Sequence, residues 1–342
     1  MKTATVRESS RISIDDTDTP VLGAGDILVR MQACGICGSD LEKVFGQYGS
    51  KSMRLGHEPA GIIVEVGSRV TEFQKGDRVF THHHVPCYSC SLCMHGSETM
   101  CKKYSQTNLV PCGLSEQYVV PEWNVMHGGV LKLSDSTTFE DATMVEPLAC
   151  CVRAWDKFSH KKGDTVAIFG IGPTGMMHVM LAQAKQLSKI FCFDMNEFRL
   201  DFARKFESVY ATSPAVPDRF QRISESTGGI GVDVAIVATS SLEALNDALK
   251  VVRRGGTVMM FGVPSKGATI NLDMCQVYNK EITLVTSYAA SDADTKKALD
   301  MIESGRINTG SLITHRYPIS ETQKAFEHAK SGDGAMKIII TK

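Results

Sequence analysis

No block of like charge runs through this sequence. Its 37 basic residues are matched by 38 acidic ones, for a formal net charge of -1, which gives no electrostatic reason to expect nucleic acid or an anionic membrane as partner. Apolar runs approaching the ~18 residues of a membrane span are also missing. The opening residues MKTATVRESSRISIDDTD reach charge too early for a secretory apolar segment, so a cytoplasmic protein is the simplest expectation. Cysteine is too sparse for a disulfide scaffold, at 11 in 342 residues, and a reducing compartment would keep the thiols free. Their clustering therefore points to metal. The length exceeds what one hydrophobic core usually supports, so two domains are expected.

The strongest local signal is Cys87-x-x-Cys90-x-x-Cys93-x7-Cys101, four thiols within 15 residues of a segment with little apolar material. Four thiolates close a tetrahedron around one Zn2+ and stabilise a loop too polar to fold by burial. Iron-sulfur runs are spaced differently, and no thioredoxin-like unit surrounds the pairs. The preceding His82, His83 and His84 are not expected to share one ion, because neighbours in an extended segment point to opposite faces. One of them is a candidate to line the active site.

A second donor set lies between Ala33 and Gly67, where Cys37, His57 and Glu58 bring together a thiol, an imidazole and a carboxylate. These are the side-chain donors zinc accepts, and a catalytic site leaves one position for water or substrate. An arbitrary Cys and His at this separation is more often a core thiol and an ordinary histidine. Glu146 also enters an apolar stretch, where a carboxylate is costly unless it is hydrogen-bonded or binds a cation. A capping or ion-paired glutamate is its bland alternative. Cys150 and Cys151, one helical turn on, read as packing thiols.

Short strands are expected at Thr3–Val6, Ile27–Met31, Ala60–Val66, Asp77–Phe80, Leu114–Val120 and Val130–Leu133, giving a compact barrel-like domain. Phe139–Trp155 has helical apolar spacing with a proline near its middle. From Asp164 the pattern alternates strand and helix. Thr165–Phe169 is a buried strand, and Gly170, Gly172, Pro173, Thr174 and Gly175 open a helix. A Gly-x-Gly-x-x-Gly placed there is the dinucleotide turn of a Rossmann doubly wound parallel sheet, with the phosphates at the helix N-terminus. Asp194 ends the next strand, 24 residues beyond Gly170. A carboxylate there bonds the adenosine ribose diol and repels a 2′-phosphate, which favours NAD over NADP. Arg199 is a candidate contact on the adenine side, or a solvated helix charge. Later strands, Val232–Ala238, Gly255–Gly262 and Ile282–Ser287, should bring Ala238, Val263 and Ser287 to the cofactor crevice. A helix at Ala293–Ser304 and strands at Leu312–His315 and Met336–Ile340 close the chain.

Gly56-His57-Glu58-Pro59-Ala60-Gly61, followed by Gly67 and Val70, resembles the signature of the zinc-containing medium-chain alcohol dehydrogenases, and Cys37-Gly38-Ser39-Asp40 resembles the first-ligand turn of their sorbitol (polyol) dehydrogenase branch. The resemblance covers essentially the whole chain. It implies a GroES-like β-barrel catalytic domain at 1–150 and 288–342 and a Rossmann NAD-binding domain at 151–287. Two zinc ions per chain are implied, together with NAD(H), a small-molecule alcohol or polyol substrate and a homo-oligomer, dimer or tetramer. Catalytic zinc would be held by Cys37 and His57, with Glu58 and Glu146 competing for the remaining protein position; structural zinc would be held by Cys87, Cys90, Cys93 and Cys101. Glu146 stands where primary-alcohol members have a cysteine, favouring the polyol or sugar branch. Ser39 matches the family's proton-relay hydroxyl and Asp40 the acid that orients the ligand histidine. A relay histidine usual three residues after that serine is here Glu42. The implied reaction is hydride transfer from a secondary alcohol of a polyol, sugar or sugar-derived acid to NAD+. An L-threonine 3-dehydrogenase or a simple alcohol dehydrogenase is the enzyme alternative. A non-catalytic binding protein is disfavoured because every metal and cofactor position is filled.

Overall fold

Alternating apolar residues build an all-β framework at the start of the chain. The computed structural model describes residues 1–7, 10–46 and 54–342. It divides into two units, Met1–Ala149 with Ala289–Lys342, and Cys150–Tyr288. Residues 47–53, inside the stretch that carries Cys37 and His57, lie outside the described residues.

In the first unit β1 (Lys2–Arg7) and β2 (Arg11–Asp16) form an antiparallel pair. Next come β3 (Ile27–Gly35), β4 (Glu58–Val66), β5 (Arg78–Thr81), β6 (Gln117–Val120) and β7 (Val130–Lys132). β3 is the centre, paired antiparallel to both β4 and β6 and buried along most of its length, as a strand covered on both faces must be. The core beneath it includes Ile27, Val29, Met31, Ile63 and Tyr118.

The second unit is a six-stranded parallel sheet of β8 (Thr165–Phe169), β9 (Lys189–Phe193), β10 (Val209–Thr212), β11 (Val232–Val237), β12 (Val252–Met260) and β13 (Thr283–Thr286). Its order is β10-β9-β8-β11-β12-β13, the doubly wound arrangement that reverses direction between β8 and β11 and binds ligands at the carboxyl ends there. The chain then returns to the first unit with β14 (Ile313–Pro318) and β15 (Lys337–Thr341). β15 runs antiparallel to the end of β3, pairing Ile339 with Gly35. That pairing carries the last strand to the neighbourhood of Cys37, His57 and Glu58. No helix among the described residues is long and apolar enough to cross a membrane.

Several expected elements differ. Phe139–Trp155 is two helices, Phe139–Ala142 and Val145–Trp155, so Pro147 falls in a first turn, where its missing N–H costs nothing. The strand expected from Leu114 begins only at Gln117, because the Gly113 and Leu114 N–H groups bond the Gly56 and Leu55 carbonyls. The strand expected at Leu312–His315 is Ile313–Pro318, preceded by a 3-10 turn at Thr309–Leu312. That expected at Gly255–Gly262 starts earlier and ends at Met260. β2 and the helix Gly38–Phe45 were not foreseen.

Candidate metal centres and cofactor turn

The helix Gly38–Phe45 starts directly after Cys37, which occupies its N-cap position. Its first turn buries Asp40 completely and leaves Ser39 and Glu42 exposed, three residues apart on one face. His57 and Glu58 enter at the start of β4, both buried. One donor atom each from Cys37, His57 and Glu58 lie within 4.8 Å of one another.

Charged groups behind these donors orient them. His57 Nδ1 lies 3.2 Å from Asp40 Oδ2, which turns the other ring nitrogen towards the donor group. Lys43 Nζ donates to Asp40 Oδ1 at 3.1 Å. Burial alone would raise the Asp40 carboxyl, but the charges of His57 and then Lys43 outweigh it and hold the group far below the usual carboxylate range. For His57, burial works to lower the imidazole, and Asp40 followed by Cys37 lifts it well above its usual value.

Lys337, on β15, is buried and donates from Nζ to Glu58 Oε2 at 2.5 Å. The pair crosses at Gly35, which lies opposite Glu58 in the β3–β4 register. A Cβ on residue 35 would collide with Glu58 Oε2 and press on Lys337 Cε, so glycine makes room for the pair. Burial raises the Glu58 carboxyl, Lys337 and His57 oppose the rise, and Glu146 adds to it. Lys337 itself is lowered by burial and raised more by Glu58 and Cys37. Nothing in the sequence signalled this lysine, which stands 279 residues from its partner.

Glu146 is buried in the first turn of the helix Val145–Trp155. It is near enough to influence both Glu58 and Lys337, but it is not in the three-donor group. The donor set fits zinc on its chemistry: a thiol, an imidazole and a carboxylate converge, acidic groups outnumber the lysines beside them, and Glu58 Oε1 is buried with no hydrogen-bond partner.

The second group is Cys87, Cys90, Cys93 and Cys101, again with sulfurs within 4.8 Å of one another. None is in a disulfide, and the Sγ–Sγ separations of 3.5 Å for Cys101–Cys87 and 3.6 Å for Cys90–Cys93 suit four ligands of one tetrahedral ion. The Cys90 N–H donates to Cys87 Sγ at 3.3 Å. Hydrogen bonds from Ser89, and then this one, lower the Cys87 thiol to about 5. The lobe is tied down by Tyr104, whose hydroxyl donates to the Ala290 carbonyl at 2.9 Å, and by Tyr88, whose hydroxyl donates to Asp292 Oδ2 at 3.1 Å.

The three histidines before this lobe have separate environments. His82 Nδ1 lies 3.0 Å from Asp292 Oδ1, and His84 Nδ1 lies 2.6 Å from the Thr107 carbonyl. The His83 ring stands 5.0 Å from that of His57. None of the three belongs to either donor group.

In the second unit the helix Pro173–Ala184 opens with Gly172 as N-cap and Pro173 at its first position. Gly170 has φ +84, and a Cβ at Gly175 would strike the Gly170 carbonyl, so helix and strand meet as closely as a dinucleotide turn requires. Asp194 closes over that turn. Its Oδ2 accepts from the Ile171 N–H at 2.8 Å and its Oδ1 from the Asn196 N–H at 2.9 Å. Arg199 Nη1 lies 3.9 Å from Asp194 Oδ2 and beside Gly172. Thr174, in the first turn of the helix, presents its carbonyl to Cys151 Sγ at 3.6 Å. Ala238 packs on Gly170 past the end of β11. Val263 is exposed, and the Ser287 hydroxyl is buried without a hydrogen-bond partner.

Comparison with known proteins identifies the family. Residues 23–135 match the alcohol dehydrogenase GroES-like domain, and residues 173–304 match the zinc-binding dehydrogenase model. The chain is 32% identical over 341 residues to a probable D-xylulose reductase A of Aspergillus clavatus, covering 96% of this chain and 93% of that protein. It is 32% identical over 335 residues to the sorbitol dehydrogenase of Bacillus subtilis, with the same coverage. The solved zinc-dependent alcohol dehydrogenase 2 from Streptococcus pneumonia superimposes with a TM-score of 0.88 at 28% identity, over 100% of this chain and 98% of that one. The protein is therefore an oxidoreductase that belongs to the zinc-containing medium-chain alcohol dehydrogenase family.

Proposed function

We propose that this enzyme oxidises a secondary alcohol of a polyol, sugar or sugar-derived acid, with NAD+ as hydride acceptor. The observation that carries the reading is the convergence of half-buried Cys37 with buried His57 and Glu58, supported by relatives whose names are D-xylulose reductase and sorbitol dehydrogenase. Cys37, His57 and Glu58 would hold a zinc ion, with Glu146 in reserve beside Glu58. Bound there, zinc supplies Lewis-acid polarisation of the substrate oxygen. The remaining work belongs to the chain. Asp40 fixes the His57 ring, and Lys337 holds one oxygen of Glu58 so that the other faces the donors. Ser39 and Glu42, exposed on one face of the helix Gly38–Phe45, offer a route by which the hydroxyl proton leaves for solvent.

In the second unit Gly170, Gly172, Pro173, Thr174 and Gly175 would receive the pyrophosphate, and the Asp194 carboxylate the adenosine ribose diol. Arg199 would lie on the adenine side, with Ala238, Val263 and Ser287 along the ends of later strands. Cys87, Cys90, Cys93 and Cys101 would hold the second zinc. We read the enzyme as a cytoplasmic homo-oligomer, dimer or tetramer. Support comes from β13, an edge strand with Leu284 exposed, and from Met274 and Tyr278 exposed on the helix Met274–Asn279.

A turnover assay with polyols, L-threonine and short alcohols, read as NADH formation, tests the proposal. The best kcat/KM should fall on a polyol or sugar. Activity confined to threonine or to primary alcohols would overturn it.

A further inference from the structure

We propose that His83 is the residue that recognises a second hydroxyl of the substrate, next to the carbon being oxidised, and so selects vicinal diols over simple alcohols. The inference rests on the polyol reading above and adds a specificity-determining residue to it.

Three consecutive imidazoles follow β5, and two of them are fixed to other parts of the fold. His82 is held by Asp292 and His84 by the Thr107 carbonyl. His83 has no such tie: its Nδ1 is buried and has no hydrogen-bond partner. Buried polar atoms are nearly always satisfied, and an exception asks for a missing partner such as a ligand or water. The ring is nevertheless held in place. It stands 5.0 Å from the His57 ring, 5.3 Å from His82 and 4.0 Å from His84. Its main-chain carbonyl accepts from Asn124 Nδ2 at 3.0 Å, and the same amide donates to the His82 carbonyl at 2.9 Å. A positioned imidazole with an unused nitrogen thus lies beside the histidine of the three-donor group.

The distance suits a diol. In a vicinal diol the two oxygens are separated by about the length of one hydrogen bond, ~3 Å. An oxygen placed at the Cys37–His57–Glu58 group brings its neighbour within reach of a ring next to His57. A hydroxyl both donates and accepts, as does an imidazole through its two nitrogens, so the pair match in either tautomer. A substrate with one hydroxyl would leave the His83 nitrogen buried and unsatisfied, the situation that sites built for a hydroxyl use to reject the analogue lacking it.

The test compares 2,3-butanediol with 2-butanol, which differ by one hydroxyl, for wild type, His83→Leu and His83→Gln. Zinc content and NADH binding serve as controls of folding. Wild type should prefer the diol. His83→Leu should lower kcat/KM for the diol about tenfold or more, the size of one lost hydrogen bond with a buried partner, while 2-butanol changes less than about twofold. His83→Gln, which keeps a donor and an acceptor, should recover part of the loss. Diol binding to the metal-stripped protein, read by ligand-observed NMR, should weaken in His83→Leu as well. A diol preference that survives in His83→Leu, or equal losses on both alcohols, overturns the role of His83 alone. A wild type with no preference for polyols over simple alcohols overturns the polyol reading, and this inference falls with it.

Discussion

The two donor groups of the first unit are built in opposite ways. Cys87, Cys90, Cys93 and Cys101 come from one short segment, and what surrounds them is slight: a small cluster around Cys93, Cys101 and Tyr104. Cys37, His57 and Glu58 instead sit against the main core and depend on groups brought from elsewhere, Asp40 from the helix after Cys37, Lys337 from the last strand and Glu146 from a third segment. The first group organises its own loop. The second is organised by the fold, and its three donors are of mixed type, which suits the open catalytic site proposed for it. A metal that makes structure and a metal that does chemistry should therefore fail differently.

The largest contrast is expected between Cys90→Ser and His57→Ala. Loss of His57 should abolish turnover while leaving a folded protein that binds NADH. Loss of Cys90 should reduce soluble yield and melting temperature, because the lobe has little apolar burial to replace the metal. Turnover, NADH titration and thermal melts on both variants check this, and a His57→Ala protein that does not fold would erase the contrast.

Lys337→Met probes the charges behind the donors. It leaves Glu58 buried beside Glu146 without its counter-ion, which should cost about 3–5 kcal/mol of stability and weaken metal retention about 10–100-fold. Lys337→Arg should be milder because the charge remains. Denaturant melts with zinc analysis read both effects; an unchanged melt in Lys337→Met would mean that the pair contributes little.

Glu146→Ala is expected to cut turnover or zinc retention about 10–100-fold if the carboxylate serves the metal, with Glu146→Cys restoring retention because thiolate is a good donor. Full activity with a loss of about 1 kcal/mol of stability would make it a helix-cap or ion-pair residue. Turnover number, zinc content and melting temperature for both variants separate the two outcomes.

Asp194→Ser in the second unit supplies the smallest effect and a control. NADP use should rise relative to NAD by about tenfold, an energy of about 1.4 kcal/mol, while both metals stay bound. Kinetics with each cofactor check it, and a wild type that already uses NADP as well as NAD would contradict the role given to Asp194.

The same contrast governs what the sequence reveals. The four-thiol lobe and the strand–turn–helix at Gly170 are local, so spacing alone exposes them. Cys37 and His57 are legible through the motif around them. Lys337 is not, because its meaning arises only when β15 pairs with β3 and places it across Gly35 from Glu58. β2 escaped because its polar–apolar alternation, Ile12 and Ile14 between Arg11 and Ser13, lasts only four residues before two aspartates, and the helix after Cys37 because it is only eight residues long and its N-cap is not a usual capping residue. Pro147 was seen but not its effect, which depended on Phe139–Ala142 ending before it.

Zinc stoichiometry during graded chelation tests the central claim most directly. Wild type should carry two zinc ions per chain. A mild chelator should remove one, with loss of turnover and no unfolding, and the second should leave only as the protein melts. Fewer than two ions in active enzyme, or both lost together with the fold, would contradict the separation of the two groups.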